Sequence, residues 1–452
     1  MDYLQYTPDR EARSPWSTNT DKKWVEVCPP KAPVEGTIRL SGSKSLTNRA
    51  LIIAALAEGT SQIDGILRSD DTYWCIDCLT KVGIRVVIEG DNAQVEGCEG
   101  SWPNKSSELY VGAAGTVARF LPAALAVGTG VWAIRGSKRM SERPLTPLLD
   151  ALLKLGAQID NEECSLPFRL TTKGLQGGNV VLPGHISSQF ISGLLLATPY
   201  AEEQVIIQIE GEVVQREYVE MTLDMMRDFG VETQFSEHGQ WLSVPIGRYK
   251  AQSIQLEPDV STCCYIWALA ALTAGRIRID GINADRTRQP DIEMLEVLER
   301  MGCNVFRGED FIEVHGAEQL MGDFTINMKR WSDQTLTIAA MAPFASGPIT
   351  LTDAAHIRHH ECDRISAICT ELRKLGIQVD EHHDGLTVYP GLPIPALLDS
   401  HDDHRMAMAL SLIGVRTKNI RILDPGCVSK TCPDFFDRLS KLGVQIVYSG
   451  GL

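Results

Sequence analysis

Two patterns of apolar and polar positions alternate along the chain. In the first, a short polar or glycine-rich cluster opens a run in which nearly every residue is apolar or small. It occurs six times, at 41–59, 112–130, 185–203, 257–275, 332–347 and 401–414. Helices that are apolar almost all round are buried on every side. In the second, apolar residues recur three and four apart and end in an apolar residue, a glycine and a short apolar stretch. The copies are LTKVGIRVVI (79–88), LLKLGAQI (152–159), MMRDFGVET (225–233), LERMGCNV (298–305), LRKLGIQV (372–379) and LSKLGVQIV (439–447). Their glycines are Gly83, Gly156, Gly230, Gly302, Gly376 and Gly443, spaced 73, 74, 72, 74 and 67 residues apart. A glycine just past a helix takes the left-handed conformation that ends it. Six of them at near-constant spacing mark an internal repeat, each copy a small α/β unit. Every copy reads as β-α-β-α-β-β, with one buried and one amphipathic helix.

Six such units can close one ring or form two lobes of three. We favour a break near residue 257, giving one domain over 43–257 and a second from 23–42 plus 258–452. The strand-forming run WVEVCPPKAPVEGTIRL (24–40) then has the last unit as its expected partner. Residues 1–22 read as a poorly ordered lead-in.

The remaining composition narrows the class. Apolar residues make up 44 % of the 452, charged ones 22 %, and no 18-residue apolar run occurs. A membrane span and a mostly disordered chain are excluded on that basis. A net charge of −15 argues against nucleic acid or an anionic membrane as partner. The twelve cysteines are scattered, as in a reducing compartment, and MDYLQYTPDREARSPW has no apolar signal core. A cytoplasmic protein, acting as a monomer, is expected.

Candidate chemistry sits at the helix openings. A buried helix presents unpaired N–H groups and a positive dipole end, so converging openings would make anion sites. They also carry Lys44, Arg49, Gln189, Asp333, His404 and Arg405, which capping does not require. Arg119, Arg139, Arg143, Arg364 and Lys430 recur in short polar strings nearby. Arginine binds carboxylate and phosphate bidentately, so the set points to ligands rich in both. Cys75-x-x-Cys78 lacks a second pair at zinc spacing, and the histidine clusters at 356–360 and 401–404 lack a zinc-hydrolase spacing. No Walker sequence or strand-placed GxGxxG is present. No metal and no cofactor is called for.

The strings SGSKSLTNRAL, GAAGT with Arg119, RMSERP, SSQF, Asp333-Gln334-Thr335, HECDR, DDHRMAM and SKTCPDFF run from residue 41 to 436. In order and spacing they resemble the 5-enolpyruvylshikimate-3-phosphate (EPSP) synthase family. The resemblance implies two lobes of three β-α-β-α-β-β units, an inside-out α/β barrel, with an interdomain cleft that closes on substrate. It implies transfer of the enolpyruvyl group of phosphoenolpyruvate to the 5-hydroxyl of shikimate 3-phosphate, releasing phosphate. Lys44 then touches both substrates. Ser45, Arg49, Ser187, Ser188, Gln189, Tyr218, Asp333 and His360 fall to shikimate 3-phosphate. Gly115, Arg143, Gln189, Arg364, Arg405 and Lys430 fall to phosphoenolpyruvate, and Lys44, Asp333 and Glu361 are catalytic. The sequence departs from the commonest pattern at His360 (often Lys), Ala113 (often Asn), Gln215 (often Ser) and Phe120 (often Pro). If His360 stands in for that Lys, it should bind substrate best when protonated. The alternatives are a UDP-N-acetylglucosamine enolpyruvyl transferase or a catalytically silent binding homologue. The first uses a loop cysteine, and 135–144 contains none.

Overall fold

The computed structural model describes residues 8–160, 165–235 and 240–449. Contacts divide it into two compact units: Ser41–Leu256, and the flanking chain through Leu40 and from Glu257 onward. The inserted unit carries α1 (Lys44–Leu56), α2 (Asp70–Lys81), α3 (Gly115–Ala126), α4 (Lys138–Glu142), α5 (Thr146–Lys154), α6 (Ser188–Ala197) and α7 (Glu217–Asp228). The flanking unit carries α8 (Val260–Leu272), α9 (Met294–Arg300), α10 (Thr335–Met341), α11 (Arg364–Lys374), α12 (His404–Gly414) and α13 (Phe435–Lys441).

Each repeat builds one four-stranded sheet, so six sheets are present among the described residues. The second repeat shows the plan within one stretch of chain. Strand Ser106–Tyr110 runs parallel to Thr129–Arg135 across α3. Thr129–Arg135 then pairs antiparallel with Phe168–Lys173, which pairs with Gln158–Asp160. The parallel pair needs a crossover helix and the antiparallel pairs need only turns.

All six amphipathic helices end alike. The glycines at 83, 156, 230, 302, 376 and 443 have φ between 76° and 98°. The residue after each donates its backbone N–H back to the carbonyl five residues earlier: Ile84 to Leu79, Ala157 to Leu152, Val231 to Met226, Cys303 to Leu298, Ile377 to Leu372 and Val444 to Leu439. This is the Schellman closure, with apolar residues at both ends of the bond. It explains why the six sequence strings share one shape.

The buried helices form the cores. In the inserted unit α1 packs on α3 and α3 on α6; in the flanking unit α8, α10 and α12 pack on one another. α8 is apolar all round and only Ser261 of its residues is not buried. No helix among the described residues is long and apolar enough to cross a membrane.

Two expectations need correction. The strand run at 24–40 does not go to the last repeat as a whole. Trp24–Val27 pairs with Ile420–Leu423 and Ile446–Tyr448 of the sixth sheet. Glu35–Arg39 instead leads the fourth sheet, parallel to Arg276–Asp280. Ser253–Gln255 correspondingly leads the first sheet, parallel to Thr60–Asp64. Every repeat thus opens with a strand, and at the two unit boundaries that strand is borrowed from elsewhere in the chain. The second correction concerns the lead-in: from residue 8 onward it is ordered against the flanking unit. Arg13 pairs with Asp402 at 2.7 Å and Asp424 at 2.8 Å, and the Thr18 amide donates to Ser429 Oγ. Polar composition misled here, because charged side chains on loops far along the chain anchor the segment. Residues 1–7 lie outside the described residues.

Candidate functional site

The inserted unit collects its predicted site residues at the starts of α1, α3, α6 and α7. α1 begins after Ser43, whose Oγ accepts from the Leu46 amide. Lys44 occupies the first helical position and its Nζ lies 3.5 Å from Asp71 Oδ2 in the first turn of α2. Arg49, one turn further on, is 1 % exposed. It donates from Nε to Thr222 Oγ1 (2.7 Å), from Nη1 to the Ser45 carbonyl (2.9 Å), and from Nη2 to the Tyr218 carbonyl (2.9 Å) and Ser192 Oγ (3.4 Å). Its guanidinium also lies 5.0 Å from the Phe120 ring centroid. Burial pushes it down to about 10, so it stays charged at neutral pH. One side chain therefore ties α1 to α6 and α7, while Asn48 Nδ2 ties α1 to Thr116 Oγ1 on α3 at 2.7 Å.

Ser187 caps α6 by accepting from the Gln189 amide at 3.2 Å. Ser188 is buried, and Gln189 Oε1 is a buried acceptor with no hydrogen-bond partner among the described residues. A buried orphan acceptor costs free energy unless something donates to it. α3 is opened by Ala114, which offers no capping side chain. A Cβ on Gly115 would meet Arg119 Nη1 at 3.0 Å and Arg143 Nη1 at 3.1 Å. A bare helix start next to two buried guanidinium groups suits an anion. The absence of a side chain at 115 is what lets the arginines come so near.

The flanking unit assembles its set around Arg364, at the first position of α11 and 1 % exposed. Its Nη1 donates to Asp333 Oδ1 at 2.9 Å, its Nη2 to Glu361 Oε2 at 2.9 Å, and its Nε to Asp403 Oδ2 at 2.7 Å. Arg405 holds the other Asp333 oxygen at 2.8 Å, and Lys430 holds the other Glu361 oxygen at 3.0 Å. The result is a chain of alternating charge, Arg405–Asp333–Arg364–Glu361–Lys430. Burial alone would lower the Arg364 pKa, but Asp403, Glu361 and Asp333 outweigh it and raise it. Asp403 also caps α12, accepting from the Arg405 amide at 2.9 Å. Behind this layer, Asp291 bonds Ser261 Oγ and accepts from Gln334 Nε2 at 3.0 Å. Burial raises the Asp291 carboxyl, while Arg405 lowers it.

His360 Nδ1 lies 3.1 Å from Arg364 Nη1. A permanently protonated guanidinium can only donate, so that ring nitrogen accepts and the imidazole is neutral. Burial, then Arg364, holds its pKa well below the ordinary value. This structure therefore holds His360 toward its neutral form, unlike a lysine at the same place. His356, whose ring centroid lies 5.9 Å from that of His360, is likewise lowered to about 4, chiefly by burial.

The structure thus sets Lys44, Ser45, Gly115, Ser187, Ser188, Gln189 and Tyr218 at helix starts of one unit, with Arg49 a turn inside α1 and Arg143 just past the end of α4. It links Asp333, His360, Glu361, Arg364, Arg405 and Lys430 directly in the other. Asp71 and Asp403, the carboxylates holding Lys44 and Arg364, did not emerge from the sequence as site residues. Their signal was their place in a helix-opening pattern, Ser69-Asp70-Asp71 and Asp403-His404-Arg405. Arg139 pairs with Glu142 on the surface. Cys75 and Cys78 are buried on α2, and burial pushes both thiols up. No group of three or more metal-ligating side chains occurs among the described residues.

Comparison with known proteins gives the arrangement a family. The family model described as EPSP synthase (3-phosphoshikimate 1-carboxyvinyltransferase) matches residues 29–439. A protein named 3-phosphoshikimate 1-carboxyvinyltransferase 2 from Halalkalibacterium halodurans is 52 % identical, over 97 % of this chain and 99 % of its own. A 3-phosphoshikimate 1-carboxyvinyltransferase from Nostoc punctiforme is 42 % identical, over 92 % of this chain and 99 % of its own. An EPSP synthase structure from Acinetobacter baumannii superposes with a TM-score of 0.79 at 26 % identity, covering 95 % of this chain and all of that one. The enolpyruvyl transferase NikO from Streptomyces tendae shares the fold, with a TM-score of 0.73 at 19 % identity over 95 % of this chain and 99 % of that one. The sixfold repeat, the charged helix starts and these matches over nearly the whole length agree: the chain belongs to the EPSP synthase family.

Proposed function

We propose that this chain is a cytoplasmic enzyme transferring the enolpyruvyl group of phosphoenolpyruvate to the 5-hydroxyl of shikimate 3-phosphate. The observation that carries the reading is that Asp333 and Glu361 are each held between two cations, Arg364 with Arg405 and Arg364 with Lys430. An incoming phosphate or carboxylate competes for those cations. The two carboxylates then become available for proton transfer while the cations balance the substrate charge.

The reaction needs both. A hydroxyl is a weak nucleophile and requires a base as its oxygen bonds C2 of the enolpyruvyl group; the methylene carbon takes a proton in the same addition. In the second step the methyl group gives up a proton, the C2–O bond to phosphate breaks and phosphate leaves. Asp333 and Glu361 serve these transfers. Lys44 contacts both substrates, and its place beside Asp71 supports a positioned ammonium. Ser45, Arg49, Ser187, Ser188, Gln189, Tyr218, Asp333 and His360 serve shikimate 3-phosphate. Gly115, Arg143, Gln189, Arg364, Arg405 and Lys430 serve phosphoenolpyruvate. The unpaired Gln189 Oε1 supports a hydroxyl donor arriving there, and neutral His360 supports a hydrogen bond from its other nitrogen rather than a charge. Arg49, spent on four protein oxygens, contributes chiefly by fixing the starts of α1, α6 and α7. No cofactor is involved.

Phosphate release from phosphoenolpyruvate, with shikimate 3-phosphate and UDP-N-acetylglucosamine offered separately, tests the proposal. Release at least a hundredfold faster with shikimate 3-phosphate is expected. Turnover with the nucleotide sugar alone would overturn it.

A further inference from the structure

The segment from residue 8 to 23 lies ahead of the stretch the family model matches, 29–439. It nevertheless runs against the two loops that deliver Arg405 and Lys430. One loop, 399–403, leads into α12, whose second residue is Arg405. The other is the 3-10 turn Pro425–Lys430 that ends on Lys430.

One side chain joins these loops. Arg13 is 11 % exposed, and its Nη2 donates to Asp402 Oδ1 at 2.7 Å and to Asp424 Oδ2 at 2.8 Å. Both acceptors sit in the left-handed region, Asp402 at φ 53° and Asp424 at φ 48°, next to His401 at φ 52°. A residue other than glycine stays there only when its surroundings hold it. The backbone of the segment adds further ties. The Asp9 amide donates to Asp402 Oδ2 at 3.1 Å, and the Asp424 amide donates to the Lys23 carbonyl at 3.0 Å. Thr18 donates its amide to Ser429 Oγ at 2.9 Å and its hydroxyl to the Pro433 carbonyl at 2.5 Å, on either side of Lys430. A Cβ at Gly426 would meet Thr20 Cα at 3.2 Å and Asn19 O at 3.3 Å, so the segment seals that turn.

We propose that Arg13 is a positioning residue for phosphoenolpyruvate binding: it clamps the 399–403 loop to the 424–430 turn and so sets where Arg405 and Lys430 stand. The proposal rests on the functional reading above for the identity of the ligand. The clamp touches neither substrate. It acts on the spacing between two cations whose anionic ligand is satisfied at one separation. Arginine suits this role because Nη2 serves both carboxylates from a rigid, planar guanidinium, whereas a lysine ammonium sits on a flexible stem.

The test uses the full chain as wild type, R13A, R13K and G426A, all first compared by thermal unfolding. R13A should raise KM for phosphoenolpyruvate at least tenfold. The dissociation constant for shikimate 3-phosphate, measured by calorimetry, should stay within twofold. R13K should fall between R13A and wild type. G426A keeps Arg13 but pushes the segment off the turn, and should move the phosphoenolpyruvate KM in the same direction; it decides the matter if R13A does not fold. Hydrogen exchange should quicken at 399–405 and 424–431 in R13A and remain unchanged in α1. A folded R13A with KM within twofold of wild type, or one that loses both ligands equally, overturns the proposal. So does unchanged exchange in the two loops. Wild-type protein that releases no phosphate from phosphoenolpyruvate overturns the functional reading instead, and exchange still reads the clamp.

Discussion

Replacing Arg364 with methionine tests the account of the charge chain most directly. The side chain is 1 % exposed and serves three carboxylates. These are not equal losses. Asp333 keeps Arg405 and Glu361 keeps Lys430, so each retains a cation. Asp403 is wholly buried, and its close guanidinium partner is Arg364, with Nε at 2.7 Å and Nη2 at 3.2 Å. Removing one member of a buried ion pair typically costs about 3–5 kcal/mol, because the survivor stays buried and uncompensated. We expect R364M to lose roughly that amount. The double variant R364M/D403N should recover ~2 kcal/mol or more of it, since Asn still caps α12 but carries no charge. The sign with pH follows. Without the guanidinium the pocket binds a proton more readily than the unfolded chain does, so stability drops as pH rises. The deficit of R364M relative to wild type should therefore be smaller at pH 5 than at pH 8. Urea unfolding followed by tryptophan emission at the two pH values measures it; Trp331, buried just ahead of Asp333, reports on the site. A deficit under ~1 kcal/mol, or one larger at acid pH, would refute the reasoning.

Four other outcomes are expected. Gly230→Ala meets no atom within 4 Å but sits at φ 87°, so it should cost about 1–2 kcal/mol from conformation alone. Gly83→Ala, whose Cβ would meet Pro103 Cβ at 2.7 Å, should cost more by the same denaturation assay. The described cysteines are mostly buried, with burial raising their thiols, so Ser or Ala at any one should leave turnover within about tenfold of wild type, losses appearing in the melting temperature instead. A folded cysteine variant that is catalytically dead contradicts the assigned chemistry. Because His360 is held neutral, its protonation comes only well below pH 6.5. Calorimetric affinity for shikimate 3-phosphate should therefore follow the same pH profile in H360Q as in wild type from pH 6.5 to 8, and an inflection seen only in wild type would show that the imidazole titrates in the complex.

The six-unit plan was legible because each copy carries a local signal, a capped apolar helix and a second helix closed by Gly83 or its equivalent. Those signals act within five residues of chain. Pairings between distant segments left weaker marks. Glu35–Arg39 and Ser253–Gln255 are short strands with no residue type that names a partner; topology decides where they go. The docking of residues 8–23 was missed for the same reason, since its stretch looks like solvated polar chain until Asp402 and Asp424 are placed beside Arg13. Site residues emerged well where they break the capping rule, as Lys44 and Arg405 do. Asp71 and Asp403 were hidden because an acid in that place is explained by capping alone. His360 could be located but not its charge, which depends on the guanidinium 3.1 Å away.

The borrowed strands bear on how the chain is completed during synthesis. Domains usually form in the order they leave the ribosome. Here the inserted unit has all its strands once Gln255 is made, because Ser253–Gln255 closes its first sheet. Trp24–Val27 is translated before any of it, yet its two neighbours are residues 420–423 and 446–448. Among the described strands the earliest must therefore wait, unpaired, for the last. Nascent chains halted after Leu256 should accordingly resist protease across 41–256 while remaining cleavable before residue 41, with protection of Trp24–Val27 arriving only when 420–423 and 446–448 are out. An interrupted synthesis would leave an open sheet edge at the front of the molecule, where a second chain could pair with it.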